Sequence, residues 1–259
     1  MYVKNDCLIH AQAMFNGMKN RNIFAWNSLI SGYSFKGHFE DAVKLFNRMQ
    51  EEGIKPDLVT LNGLVSGYSM WGNNEEALAV IHQIKSLGLT PNVISWTALI
   101  SGSSQKENYR ESLEFFIQMQ QEGVKPNSAT ISCILRACAG LSLLQKGKEI
   151  HCLSIKNGFI EDVFVATALI DMYSKSGDLK NALEVFRKLQ NKTLASWNCM
   201  IMGFAIYGLG KEAILLYDEM REAGIQPDAI TFTALLSGCK QSSLIDEGWK
   251  FFDTMSADF

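Results

Sequence analysis

Residues 23–57 read IFAWNSLISGYSFKGHFEDAVKLFNRMQEEGIKPD, and the rest of the chain is built on this stretch. Shifted by 35 residues, it meets a copy at 58–92 and another at 93–127. Pro56, Pro91 and Pro126 keep that interval, and Pro227 follows after two intervals of 35 and one of 31. Gly53, Gly88, Gly123 and Gly158 are also 35 apart, with Gly224 a further 66 on. A fixed period of this size is the mark of a solenoid.

Inside the stretch, residues 24–35 and 38–50 both predict helix. Apolar residues fall at Trp26, Leu29, Ile30 and Tyr33, then at Phe39, Ala42, Val43, Leu45, Phe46 and Met49. That is helical spacing, without the alternation of a strand. Lys36-Gly37 is short enough to join an antiparallel pair. Gly53 suits a helix C-cap, Pro56 blocks continuation, and Asp57 suits the N-cap of the next helix.

Working outward, 1–22 reads as the back half of a shorter unit. Full units follow at 23–57, 58–92 and 93–127. Unit 128–162 keeps the length but changes texture, and unit 163–193 has 31 residues and no Gly-x-x-Pro tail. Unit 194–228 restores the first form, and 229–259 stops before its tail. The expected fold is all-α: about fourteen to fifteen helices in antiparallel pairs, stacked as one right-handed superhelical solenoid without strands.

Composition narrows the classes. Of 259 residues, 47 % are apolar, ample for stacked helix pairs. The net charge of −3 makes no case for nucleic acid or an anionic membrane. No apolar run reaches the roughly 18 residues of a membrane span. The six cysteines, Cys7, Cys133, Cys138, Cys152, Cys199 and Cys239, form no CxxC pair. They read as small buried hydrophobes in a reducing compartment. Met1 falls within a unit, so the natural N-terminus, with any leader, is expected to lie upstream.

Counted from the first residue of each unit, some positions hardly change. Position 20 is small: Ala42, Ala77, Ser112, Gly147, Ala182, Ala213 and Gly248. Position 7 (Leu29, Leu64, Leu99, Ile134, Leu169, Met200, Leu235) and the residue after it read as core. Position 5 is different: Asn27, Asn62, Thr97, Ser132, Thr167, Asn198 and Thr233. Asn, Ser and Thr are mediocre helix formers, and a merely solvated position would drift toward Glu, Lys and Arg. Either a ligand needs a short amide or hydroxyl once per unit, or these groups are buried and bonded to neighbouring backbone. Position 35 is Asp57, Asn92, Asn127, Asp162, Thr193 and Asp228, which are also good N-caps. A cap and a ligand contact do not exclude each other.

The joint pattern resembles the pentatricopeptide repeat family, in particular its plant PLS class, over the whole chain. VTLNGLVSGYS at 59–69, SWTALISGSS at 95–104 and SWNCMIMGFA at 196–205 are similar to that family's first helices. EEALAV at 75–80 and KEAILLYDEMREAGIQPD at 211–228 are similar to its second helices and tails. Units 23–57, 58–92, 93–127 and 194–228 resemble its P-type. Unit 128–162, with RACAG and GKEIHC, and truncated unit 229–259, with QSSLIDEGWKFFDTM, resemble the L-type. Unit 163–193 and the partial 1–22 resemble the S-type.

The resemblance implies sequence-specific binding of single-stranded RNA, one base per repeat, running 5′ to 3′ from the N-terminus. It implies base reading by the residues at positions 5 and 35, and clamping by position 2: Phe24, Val59, Ile94, Ala129, Phe164, Ala195 and Ile230. Ala129 and Ala195 are small for a clamp. Under the family's correspondence, Asn27/Asp57 and Asn198/Asp228 should prefer U, Asn62/Asn92 C or U, Thr97/Asn127 A, and Ser132/Asp162 G, with Thr167/Thr193 unassigned. The expected core is 5′-U-(C/U)-A-(G)-N-U-3′. The resemblance further implies a targeting array for organellar C-to-U editing, in the mitochondrion or alternatively the chloroplast, after removal of a transit peptide. Editing cofactor proteins are open as further partners; no cofactor, metal, membrane or small-molecule substrate is implied.

Enzyme motifs are weak. Zinc deaminase chemistry needs H-x-E and a distant P-C-x-x-C. His38-Phe39-Glu40 matches the first half, at a turn between helices, and no CxxC exists. His151 falls where other units carry Phe46, Ile81 and Phe116, so it reads as packed. No Gly-rich phosphate loop or nucleophile elbow is present, so deaminase activity would belong to a further C-terminal domain. The alternative is a protein-binding helical scaffold like a tetratricopeptide array, but that period is shorter and its signature is not held here.

Overall fold

A computed structural model describes residues 8–258, with side chains through Met255. Cys7 lies outside the described residues. The described chain is helical throughout, without strands, and no described helix is long and apolar enough to cross a membrane. Packing divides it into two compact units, Met1–Thr130 and Ile131–Phe259.

The first unit holds α1 (Leu8–Gly17), α2 (Ile23–Phe35), α3 (Phe39–Glu51), α4 (Leu58–Trp71), α5 (Asn74–Ser86), α6 (Val93–Gln105) and α7 (Tyr109–Gln121). It ends in the first turn of α8 (Ser128–Gly140). The second unit continues with α9 (Leu144–Lys156), α10 (Val163–Lys175), α11 (Leu179–Lys188), α12 (Leu194–Ile206), α13 (Gly210–Glu222), α14 (Ala229–Gln241) and α15 (Ile245–Asp258).

Each unit repeats one motif. The first helix of a pair packs on its own second helix and on the first helices before and after it: α2 on α3 and α4, α4 on α5 and α6, α12 on α13 and α14. Gly53 shows how a second helix ends. Its φ of +78° lets its N–H reach Gln50 O (2.9 Å) while Ile54 N–H reaches Met49 O (3.0 Å). This closes the last turn on a residue without a Cβ penalty. Unit 163–193 lacks that device. α11 stops at Lys188, and Leu189 leaves it in an extended conformation. A cavity of about 500 Å³ opens beside it, lined in part by His151, Ile155, Val163, Glu184 and Lys188.

The core runs down the first helices. Leu29, Leu64, Leu99, Ile134, Leu169, Met200 and Leu235 are all buried, as are Trp26, Trp96 and Trp197. Backbones approach closely at the tenth residue of a unit. A Cβ on Gly67 would sit 2.3 Å from Ser34 Cβ, and one on Gly102 would sit 2.4 Å from Ser69 O. First helices are therefore enclosed on several sides, and a strip at their N-terminal turns stays open.

Candidate functional site

That strip begins with the residue before each first helix. Asp57 Oδ1 accepts from Thr60 N–H (2.8 Å), and the Asp57 N–H donates back to Thr60 Oγ1 (3.2 Å). The same reciprocal cap joins Asn92 with Ser95, Asn127 with Thr130, and Asp228 with Thr231. Asp162 accepts from Phe164 and Val165 N–H, and Thr193 Oγ1 from Ser196 N–H. Position 35 is thus a helix cap wherever it occurs.

The structure also ties position 5 to this cap. Asn27 Nδ2 donates to Asp57 Oδ1 (3.1 Å), while Asn27 Oδ1 accepts from Thr60 Oγ1 (2.5 Å). Asn198 repeats this with Asp228 (2.9 Å) and Thr231 (2.7 Å). Asn62 Oδ1 accepts from Ser95 Oγ (2.6 Å), but the bond that Asn62 Nδ2 donates to Asn92 Oδ1 is long at 3.4 Å. Thr97 and Thr130 hydroxyls lie 2.7 Å apart, and Thr130 Oγ1 is 2.8 Å from Asn127 Oδ1.

Asn27, Asn62 and Asn198 are buried, only 6, 8 and 6 % exposed, but they are not bonded to neighbouring backbone. Their partners are side chains of the cap, because the next first helix begins directly over them. The caps Asp57, Asn92, Asn127 and Asp228 are half-buried, as is Thr97.

Other sets are looser. Val165 stands where Thr60 and Thr231 stand, so no third-position hydroxyl meets Ser132 and Asp162. The Thr167 hydroxyl is buried without a hydrogen-bond partner. Ser196 Oγ turns to the backbone oxygen of Thr193 (2.8 Å). Thr233 is exposed, and its hydroxyl donates to Ala229 O (2.7 Å) within its own helix. The hydroxyls of Thr60, Ser95, Thr130, Ser196 and Thr231 were missed as part of the site. Their signal is in the sequence, as the third residue of five units.

Electrostatics favour ionised caps. Partial burial pushes the Asp57 carboxyl up, but the Thr60 N–H and hydroxyl and the Asn27 amide outweigh it and hold the pKa low. Asp228 behaves alike: burial raises it, and Thr231 and Asn198 lower it further. Both are acceptor-only at neutral pH. The bonds from Thr60 and Asn27, and from Thr231 and Asn198, fall on Oδ1 of each carboxyl, and the Val59 and Ile230 N–H groups add a further backbone bond to each.

Beside each cap stands an exposed apolar side chain. Phe24, Val59, Ile94, Phe164 and Ile230 are 74, 61, 57, 79 and 58 % exposed, and Ala129 and Ala195 are also exposed. Core residues two positions further along the same helices are fully enclosed. An acceptor or amide flanked by an apolar flat surface can hold a planar heteroaromatic ring by its edge and its face.

Elsewhere the chemistry is quiet. His38 sits in the turn before α3. His151 packs edge-on against Tyr173, with Nδ1 2.8 Å from its hydroxyl. Burial pushes the Cys138 thiol up to about 11 and Cys199 to about 12, against thiolate formation. Among the described residues no three His, Cys, Asp or Glu side chains group closely enough for a metal ion.

Comparison with known proteins gives a consistent picture. The sequence model of the PPR repeat family matches residues 21–70, 91–140 and 192–241, and that of the PPR repeat matches 59–89, 164–194 and 230–258. The chloroplastic pentatricopeptide repeat-containing protein DOT4 of Arabidopsis thaliana is 43 % identical over 287 residues, covering 98 % of this chain and 33 % of that protein. Another from the same plant, At3g22150, also chloroplastic, is 32 % identical over 98 % of this chain and 23 % of its own length. The chain therefore spans a third or less of these relatives. Among solved structures, the pentatricopeptide repeat protein PPR10 in complex with an 18-nt psaJ RNA element superposes with a TM-score of 0.62. It is 21 % identical, over 98 % of this chain and 43 % of PPR10, a likeness of fold.

Proposed function

This chain belongs to the pentatricopeptide repeat family, and we propose that its repeats bind single-stranded RNA sequence-specifically, one base to a repeat. The observation that carries this is the exposed apolar residue beside each capped, hydrogen-bonding side chain. One base per helical repeat, read by two or three side chains, is an established mode of single-strand recognition. PPR10, of the same fold, was crystallised with RNA.

The chemistry assigns roles within the proposal. Ionised Asp57 and Asp228 accept from an imino N–H, as uracil offers, and the position-5 amide donates to a carbonyl oxygen. Asn127 and Asn92 are held by Oδ1, which turns their Nδ2 outward as donors to a ring nitrogen. In this reading positions 5 and 35 read the base edge and position 2 clamps its face, giving 5′-U-(C/U)-A-(G)-N-U-3′. The units keep the boundaries and PLS types read from the sequence. The array serves organellar C-to-U editing, with editing proteins as further partners and any deaminase chemistry outside these repeats. The chloroplast replaces the mitochondrion as the favoured organelle, because DOT4 and At3g22150 are both named chloroplastic.

Fluorescence anisotropy with the matched RNA, a scrambled RNA and a double-stranded RNA, at two salt concentrations, tests the reading. Tighter binding to the matched strand, weakened by salt through phosphate contacts, is expected. Equal binding to all three, or none, would favour a protein-binding scaffold and overturn it.

A further inference from the structure

We infer that the buried hydroxyl at the third position of a unit is a positioning residue for base reading: it fixes which edge of the preceding unit's position-5 side chain faces the base. The inference rests on the RNA reading above. Thr60, Ser95, Thr130 and Thr231 have no exposed surface, so they touch no ligand themselves. Each accepts the N–H of the preceding cap residue through its hydroxyl oxygen. In the Asn27, Asn62 and Asn198 sets the hydroxyl lies nearer the position-5 amide oxygen, at 2.5–2.7 Å, than the cap Oδ1, at 2.9–3.2 Å, and in the Thr97 set either hydroxyl can donate, at 2.7 Å.

An asparagine amide has two ends of nearly equal shape and opposite hydrogen-bonding sense. A donor aimed at one end makes that end the oxygen and turns the NH2 group toward the cap and the strip beyond. In the Asn27 and Asn198 sets, an aspartate acceptor enforces the same orientation, so two groups share the task. In the Asn62 set the amide–amide bond is long, 3.4 Å, against 2.6 Å for the Ser95 hydroxyl. There the hydroxyl is the stronger constraint. At Thr97 the dependence is sharper. If the Thr130 proton goes to Thr97, the Thr97 proton is free for a base; if it goes to Asn127, Thr97 must donate inward and offers only lone pairs.

Two sets lack the device. Val165 brings no hydroxyl to Ser132 and Asp162, and Ser196 spends its proton on the Thr193 backbone while the Thr167 hydroxyl has no partner. The bases opposite units 128–162 and 163–193 should be read least selectively.

The test uses the whole chain and four RNAs that differ only at the base opposite unit 58–92. Wild type should prefer C or U over A or G there. Ser95→Ala should lose about fivefold or more of that ratio, the scale of one hydrogen bond, with preferences at other bases kept. Ser95→Thr should retain the ratio. If Ser95→Ala keeps the wild-type ratio, or weakens all four RNAs equally, the hydroxyl is only structural and the inference fails while RNA reading stands. If Ser95→Thr behaves as the alanine variant, the hydroxyl is not the operative group, and the inference fails as well. Wild type that binds none of the RNAs removes both.

Discussion

Asn198 donates to Asp228 and accepts from Thr231 while almost wholly buried, so deleting its amide leaves two partners stranded. Asn198→Ala should therefore cost about 1–3 kcal/mol in chemical denaturation, besides weakening RNA binding. Asp228 adds a pH dependence. Its folded pKa lies below the usual carboxylate value, so its stabilising contribution is complete above the unfolded pKa and is lost as pH falls through the lower folded value. Wild type and Asp228→Asn should differ at pH 7 and begin to converge only as pH falls below about 4 toward the lowered folded value, as urea titrations at pH 7 and well below pH 4 would show. The recurrence of short polar residues at position 5 was legible because seven copies sit in register. Their burial was one of two readings, but their side-chain partners were not legible, because one helix's pattern does not show the next helix starting above it. The hydroxyl at position 3 was on view but looked like an ordinary capping-box residue.

The helices themselves were readable to within a residue: 24–35 and 38–50 were expected, and Ile23–Phe35 and Phe39–Glu51 are found. The reason is local, since periodicity, a turn glycine and a cap each act over a few residues. Leu99 lies at the fully buried centre of α6, and Leu99→Ala should cost about 2–5 kcal/mol in thermal or urea melts through the cavity it leaves. Turns offer the opposite change. Gly37 and Gly72 end their first helices at positive φ, but Glu107 does so at +62° with a Cβ. Glu107→Gly removes that strain, of roughly 1–2 kcal/mol, partly offset by glycine's chain entropy, so a stability gain of up to about 1 kcal/mol is expected in the same melts. The shortened α11 was foreseeable from the 31-residue spacing, but the cavity beside it was not, because its walls come from three helices.

At the scale of the molecule, a net charge of −3 makes no case of its own for a polyanion. Recognition in this account is local, repeated once per unit by a cap, a buried partner and an exposed apolar face. The most direct measurement is selection of bound RNAs from a random pool by wild type and by the double variant Thr97→Asn, Asn127→Asp. With Thr130 already in place, this pair rebuilds around α6 the set that Asn27, Asp57 and Thr60 form around α2. An outward amide donor at position 35 becomes an acceptor-only carboxylate. The account predicts that the third base alone shifts from A to U. An unchanged third base, with binding intact, would contradict base reading by these residues.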